Sequence, residues 1–304
     1  ECLKELDMDT GAVKDVRCPE CELTKSRRQP APKEAVTRAD QPLYRLHADL
    51  SGRKLQSLQG YRYYLIVVDD NSRYRWVRLL RNKSDAEYEV RTLIESLERE
   101  KAPSKVAIFR SDGGGEFVTT ALKDFFKQRG IKHEKSAPYS QFQNGVAERS
   151  IGIIDECARA MMMVSSSPTY DWCHAVNHAV YVRNRLPSSA LDGVAPVEVY
   201  SAIQRILRDP MPVFGCLGYA KKHIRGKQEP KATRVVFLGS SDEYKADYVR
   251  DLSSFSSSLK EFFSRDVRYD TRIFPYKSRL VPRPVVPPMD QEDVKEVLKL
   301  EEAQ

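Results

Sequence analysis

Apolar and polar positions change period along this chain. Between Leu43 and Glu134 the apolar runs have strand length: a stretch through Asp49, then Tyr63 to Asp69, Tyr74 to Leu80, Val106 to Phe109 and Ile131 to Glu134. The segment Asp70-Asn71-Ser72-Arg73 has turn chemistry, so the runs on either side read as two antiparallel strands. Helices are predicted among them. One runs from Asp85 to about Glu100, capped by Ser84, with Leu93, Ile94 and Leu97 on one face and Pro103 blocking its continuation. Another runs from Glu116 to Gln128 and ends at Gly130. From Val146 to Met162, Ala147, Ile151, Ile154, Ala158 and Met161 fall on one helical face, and a further helix, Tyr170 to Leu186, stops before Pro187. After Val213 the pattern returns to β-like pieces, Arg234 to Leu238 and Phe262 to Tyr269, punctuated by Gly215, Gly218, Gly226 and Gly239, which predicts a small barrel-like module. The serine-rich run from Ser253 to Ser258 reads as a solvent loop, and the prolines between 281 and 288 as a stiff connector to an acidic helical tail.

Strands mixed with helices give an α/β or α+β sheet domain followed by a mostly β module. The organisation read from these patterns is an N-terminal region at 1–24, a basic linker at 25–42, a sheet domain with helical extension at 43–204, a β-rich module at 205–280 and a connector with tail at 281–304. No run of eighteen apolar residues exists, which excludes a membrane-spanning role. The first residues, Glu1-Cys2-Leu3, are neither an initiator methionine nor a signal peptide, so a segment of a longer product is expected. Six cysteines at irregular spacing suit reduced thiols and an intracellular setting.

Net charge, +7 over the chain, becomes informative when divided. Residues 48–204 carry 22 basic and 19 acidic groups, a balance of +3, whereas 205–287 carry 17 and 9, or +8, and 288–304 carry 2 and 6, or −4. That asymmetry points to a polyanion as the partner of the late module.

Three carboxylates stand where metal-binding groups would be useful. Asp49 ends the first strand, Asp112 follows a later strand in Arg110-Ser111-Asp112-Gly113-Gly114-Gly115-Glu116, and Glu148 lies in the first turn of the helix after Asn144-Gly145. Two strand-end carboxylates and one from a helix packed across them can hold two divalent cations roughly 3.5–4 Å apart, one activating a hydroxyl or water and the other stabilising a leaving oxygen at a phosphodiester. Hard oxygen donors suit Mg²⁺. Gly113 to Gly115 allow a phosphate to approach the backbone. Asp69 and Asp70, by contrast, read as turn residues.

With these neighbours the sequence resembles the integrases of copia-type LTR retrotransposons. The resemblance rests on His47-Ala48-Asp49, Asp69-Asp70-Asn71-Ser72-Arg73, Phe109-Arg110-Ser111-Asp112 with Gly114-Gly115-Glu116-Phe117, Ala137-Pro138-Tyr139, and Gln143-Asn144-Gly145-Val146-Ala147-Glu148-Arg149. It continues through Asn184-Arg185-Leu186-Pro187, Phe214-Gly215-Cys216, Val236-Phe237-Leu238-Gly239 and Ser264-Arg265-Asp266-Val267. It implies a ribonuclease-H-like mixed sheet with flanking helices, Asp49, Asp112 and Glu148 as the catalytic triad holding Mg²⁺ or Mn²⁺, and joining of the 3′ ends of linear element DNA to target DNA. It implies further that Cys18 and Cys21 are half of a Zn²⁺ site, the other ligands lying upstream. The expected partners are double-stranded DNA, further copies of the chain assembled through the helices between Val146 and Leu186, and chromatin; the expected location is the nucleus after a cytoplasmic particle stage. Two positions depart from the family pattern: Gly113 replaces an asparagine, and Phe142 a small or polar residue.

Other residues extend the reading toward DNA. Gln143, Asn144 and Arg149 flank Glu148 and could position a DNA end, although Asn144 could equally be a helix N-cap. Lys221, Lys222, Arg225, Lys227, Lys231 and Arg234 cluster in the basic module and suit phosphate contact. Cys173, His174 and His178 have ligand-like spacing but sit among Trp172, Ala175, Val176, Ala179 and Val180, so the helix reads as a packing element. Two rival functions remain at this point: a DNA- or partner-binding protein without catalysis, and a hydrolytic nuclease of the same fold.

Overall fold

The described residues form two five-stranded sheets separated by a pair of helices. In the computed structural model the described residues are 38–136, 144–202, 211–222, 230–253 and 260–278. Cys18, Cys21, Phe142, Gln143, Arg225 and Lys227 lie outside them, as do most of the linker, most of the serine run and the acidic tail.

The first sheet has β1 (Arg45–Leu50), β2 (Tyr63–Asp69), β3 (Arg75–Leu80), β4 (Ile108–Ser111) and β5 (Lys132–Lys135) in the order β3-β2-β1-β4-β5. The β1–β2 and β2–β3 pairs are antiparallel, while β1–β4 and β4–β5 are parallel. This is the mixed, ribonuclease-H-like sheet that the resemblance implies. Helices α1 (Ala86–Glu100), α2 (Thr120–Arg129), α3 (Gly145–Ser165), α4 (Trp172–Arg183) and the short α5 (Pro196–Ser201) flank it. The second sheet has β6 (Leu217–Lys221), β7 (Ala232–Ser241), β8 (Ala246–Asp251), β9 (Glu261–Ser264) and β10 (Val267–Asp270), ordered β10-β6-β7-β8-β9 and antiparallel throughout.

Period-two alternation along β1 and β2 separates two cores. Leu46, Ala48, Leu65 and Val67 join Phe109 against Val90, Leu93, Ile94 and Leu97 of α1 and Leu122, Phe125 and Phe126 of α2. Tyr64, Ile66 and Val68 face the other way, onto Ala147, Ile154 and Ala158 of α3 and Trp172, Val176 and Ala179 of α4, and this core continues into Leu217, Val236 and Leu238 of the second sheet. The layers are therefore α1/α2, first sheet, α3/α4, second sheet. Among the described residues no helix is long and apolar enough to cross a membrane.

Local chemistry explains most boundaries and corrects some expectations. Ser84 does not cap α1: Lys83–Asp85 form a 3₁₀ turn, and the Asp85 carboxylate accepts the Asn82 amide at 2.9 Å. The expected helix from Glu116 is split into a 3₁₀ turn, Gly115–Phe117, and α2, whose N-cap is Thr119 with its hydroxyl accepting the Leu122 amide. Gly130 closes α2 at φ +69°, a left-handed position that costs glycine little. Asp69 and Asp70 are buried builders of their turn. Asp69 accepts the Leu43 amide and both the amide and hydroxyl of Ser72, while Asp70 accepts the Ala39 amide, His47 Nε2 and Arg73. The single β-like piece expected from Phe262 to Tyr269 is two strands, β9 and β10.

Helix α4 accounts for the ligand-like cysteine and histidines. His178 lies against Phe214 and, edge-on, against Phe237 of the second sheet. His174 Nε2 approaches Glu261 at 3.4 Å, and the Cys173 thiol donates to Gln59. Covered by α3 and β3 on one side and β7 on the other, α4 has little surface left for another copy of the chain.

Candidate active site

The two central parallel strands part at one end, and the carboxylates gather there. The β1–β4 register ends at Ala48 opposite Ser111, so Asp49 and Asp112 are the next residues along each strand. Side chains one step past a matched parallel pair share a face, here the one covered by α3. Helix α3 crosses that face and carries Glu148 in its first turn. Ser111 anchors the strand end, its hydroxyl within 2.9 Å of His133 Nε2.

Backbone bonds shape the carboxylates. Asp49 accepts the Leu50 amide at 2.8 Å, and Asp112 accepts the Gly114 amide at 3.1 Å, which folds the glycine run back over its own carboxylate. A Cβ at Gly114 would lie 2.9 Å from the Glu116 carboxyl carbon and 3.0 Å from Asp112 Oδ1, so any larger residue would wedge between these two acids. Glu116 is a fourth carboxylate at the site. It stood in the glycine-rich motif, but spacing alone gave no reason to turn it inward. Gly113 is exposed and a Cβ there meets nothing within 4 Å, so local crowding does not require glycine at this position.

The electrostatics show that the acids share one field. Burial raises the Asp49 carboxyl to about 7, with Asp112, Glu148 and Glu116 adding to the rise against the opposing Leu50 amide bond. Glu148 is raised as well, by burial and then by Asp112. Among the described residues no group of three His, Cys, Asp or Glu side chains is drawn tightly enough to cage a metal ion. The donor set nonetheless suits a hard divalent cation, because its oxygens are crowded with like charge that such an ion would relieve. A pH dependence follows. The folded chain keeps a proton on Asp49 up to about pH 7, whereas the unfolded chain releases it near 3.8, so this group's stabilisation of the ion-free protein falls as pH rises between those values. Ion binding has the opposite trend. Mn²⁺ affinity is expected to climb from pH 5 to pH 7 and level off above, and Asp49→Asn to flatten the climb; titrations at three pH values check both.

The flanking residues fall into two groups. Arg149 is exposed beside Glu148. Asn144 is fully buried at the cap position of α3 but makes no side-chain cap bond; its Nδ2 donates instead to the Ala48 carbonyl at 3.0 Å. In the second sheet Lys221, Lys222, Lys231, Arg234 and Arg268 are all exposed, and the strand registers set Arg234 and Arg268 on either side of Tyr219, itself 43% exposed. Sequence clustering found the lysines, but Tyr219 and Arg268 join them only through strand pairing.

Residues 39–141 match the family model described as the integrase core domain, a span that holds Asp49 and Asp112 and stops before Glu148. The chain carries an integrase core. It is 30% identical over 268 residues to the retrovirus-related Pol polyprotein from transposon RE2 of Arabidopsis thaliana, covering 86% of this chain and 17% of that protein. Identity to the corresponding RE1 polyprotein of the same plant is 32% over 269 residues, covering 88% and 18%. To the Pol polyprotein from transposon TNT 1-94 of Nicotiana tabacum it is 32% over 201 residues, covering 65% and 15%. The chain thus spans under a fifth of the curated relatives it matches. Among solved structures, the simian T-cell lymphotropic virus intasome in complex with PP2A regulatory subunit B56 gamma aligns at a TM-score of 0.49 and 14% identity, covering 83% of this chain and 87% of that one. The HTLV-2 integrase catalytic core domain in complex with magnesium aligns at 0.40 and 18%, covering 54% and 99%. The integrase core and the retrotransposon Pol relationship accord with the resemblance read from the motifs.

Proposed function

We propose that this chain is the catalytic and DNA-holding part of a retrotransposon integrase, a polynucleotidyl transferase that joins the 3′ ends of linear element DNA to target DNA. The observation that carries the reading is the convergence of Asp49, Asp112 and Glu148 at the open end of the β1–β4 seam, each within the electrostatic reach of another. Asp49, Asp112 and Glu148 would hold two Mg²⁺ or Mn²⁺ ions. Bound there, the ions would make a 3′-hydroxyl a better nucleophile and stabilise the displaced oxygen at the target phosphodiester. Exposed Gly113 and Gly115 leave room for a phosphate beside Asp112. Arg149 stands exposed next to Glu148, where its guanidinium would hold a phosphate of the DNA end. Gln143, from the preceding segment, would act with it.

The exposed basic surface of the second sheet would hold duplex DNA through its phosphates, with Arg225 and Lys227 belonging to the same segment. Replacing both Lys221 and Lys222 with Gln is expected to lower the slope of log affinity against log salt by about 2 without changing sequence preference, measured by fluorescence anisotropy on unrelated duplexes. The working form is a multimer bridging two DNA ends. Nuclear action follows a cytoplasmic particle stage, a chromatin contact guides target choice, and Cys18 with Cys21 bind Zn²⁺ together with two further ligands.

The test is to incubate the chain with Mg²⁺ or Mn²⁺, linear duplex ends and a plasmid. Joined products support the reading. Cleavage without joining makes the protein a hydrolytic nuclease, and DNA binding with neither reaction under either metal makes it a binding protein.

A further inference from the structure

We infer that Asn144 is a positioning residue that fixes the separation of Asp49 and Glu148, rather than a contact to DNA. The inference rests on the active-site reading above. Its starting point is that Glu148 has no hydrogen-bond partner among the described residues, so its place depends on where the first turn of α3 is held. Val146 and Ala147 of that turn pack toward the sheet, and the packing continues through Ser150, Ile154 and Ala158. Apolar packing is non-directional, so a directional bond must fix the turn relative to the strand that carries Asp49.

Asn144 does so at a telling point. Its amide donates to the carbonyl of Ala48, the last residue of β1 in register with β4 and the neighbour of Asp49. Glu148 stands four positions after Asn144, about one helical turn, so the two sit one above the other on the same face. A single 3.0 Å bond thereby links the residue beside the first carboxylate to the residue one turn before the third. The alternatives fit worse. The side chain makes no cap bond with the helix, and at 0% exposure it cannot meet a DNA end without leaving its place. Its Oδ1 is buried without a partner among the described residues, a cost tolerated while the other end of the amide is engaged. Alanine here would remove the bond while leaving the Ala147, Ile154 and Ala158 contacts that hold the rest of α3.

The experiment compares the full chain with Asn144→Ala and with Asn144→Leu, which keeps most of the volume if the alanine variant loosens the fold. Three quantities are read: hydrogen exchange at the amides of Arg149 and Ser150, the first to be bonded within α3; Mn²⁺ binding by electron paramagnetic resonance; and duplex DNA affinity by anisotropy without divalent ions. The expected result is exchange about tenfold faster at those two amides, Mn²⁺ affinity lower by about tenfold, and DNA affinity within about twofold of the parent. Loss of DNA affinity with exchange and Mn²⁺ binding unchanged would make Asn144 a DNA contact and overturn the inference, as would no change in any of the three. A parent chain that joins no DNA refutes the integrase reading alone, because the exchange comparison still decides whether Asn144 holds the turn.

Discussion

Asp112→Asn is expected to abolish metal-dependent DNA joining, a loss on the order of a thousandfold or more, without destabilising the chain. The substitution keeps the shape of the side chain, and its Oδ1 can still accept the Gly114 amide, so the turn that follows β4 survives. It removes one of the negative charges that raise Asp49 and Glu148. Without an ion, the variant should therefore melt at the same temperature as the parent or slightly above it. With Mn²⁺ the order reverses, because only the parent gains the stabilisation that ligand binding confers. Joining assays paired with melting curves at increasing Mn²⁺ read both effects. A variant that melts well below the parent without metal would show that Asp112 is held by more than its own turn.

The largest effect on stability is expected at Arg250. Its guanidinium is buried at 0% exposure and forks onto Asp171 at 2.8 and 2.5 Å, Glu261 at 3.0 and 2.7 Å, and the Tyr276 hydroxyl at 2.8 Å. Glu261 also accepts from Gln59 and Tyr248 and faces His174, so the network joins a loop of the first sheet, the start of α4 and the second sheet. Burial disfavours its charges, yet the His174 and Arg250 contacts hold Glu261 down at about 2, and Cys173 and Glu261 raise His174 to about 10. Removing one member of such a set strands the others. Arg250→Ala leaves Asp171 buried without its cation and Glu261 with His174 as its remaining one, and a loss of about 3–5 kcal/mol is expected, measured by urea denaturation. The sign with pH is worked from the same groups. Stability from Glu261 is present above its ordinary value near 4.5 and lost as pH falls toward 2; stability from His174 is present below 6.5 and lost as pH rises toward 10. The Glu261 and His174 contributions are thus both full between about pH 4.5 and 6.5, superposed on the Asp49 decline, and the stability curve lies lower in Arg250→Ala across that window.

What sequence could reveal followed from range. The apolar run Tyr63 to Asp69 is buried on both faces and matches β2 residue for residue, since continuous burial leaves a continuous signal. The carboxylates were legible because each carries motif neighbours, and the Asp69–Arg73 turn because its chemistry is local. Thr119 was missed as a cap because the glycine-rich motif ahead of it suggested an earlier helix start. β6 and β8 are short and interrupted by Gly218 and by Asp247, and they become strands by pairing with β7 on one side and with β10 and β9 on the other. Asn144 reads in the sequence as a contact to a DNA end or a helix cap; it stands at the cap position of α3, and its side chain bonds Ala48, 96 residues earlier. Arg250 and Asp171, 79 residues apart, are likewise ordinary charges until the second sheet docks on α4. Long-range polar pairs leave no periodic trace in a single sequence.

The sandwiched position of α4 has a practical edge. A fragment ending near residue 204, where charge and composition change, would carry Trp172, Val176 and Ala179 into water on the side that Leu217, Val236 and Leu238 normally cover. Such a surface is adhesive. The first-sheet half on its own would be a sticky, precipitation-prone molecule, and the second sheet serves as its built-in solubility partner.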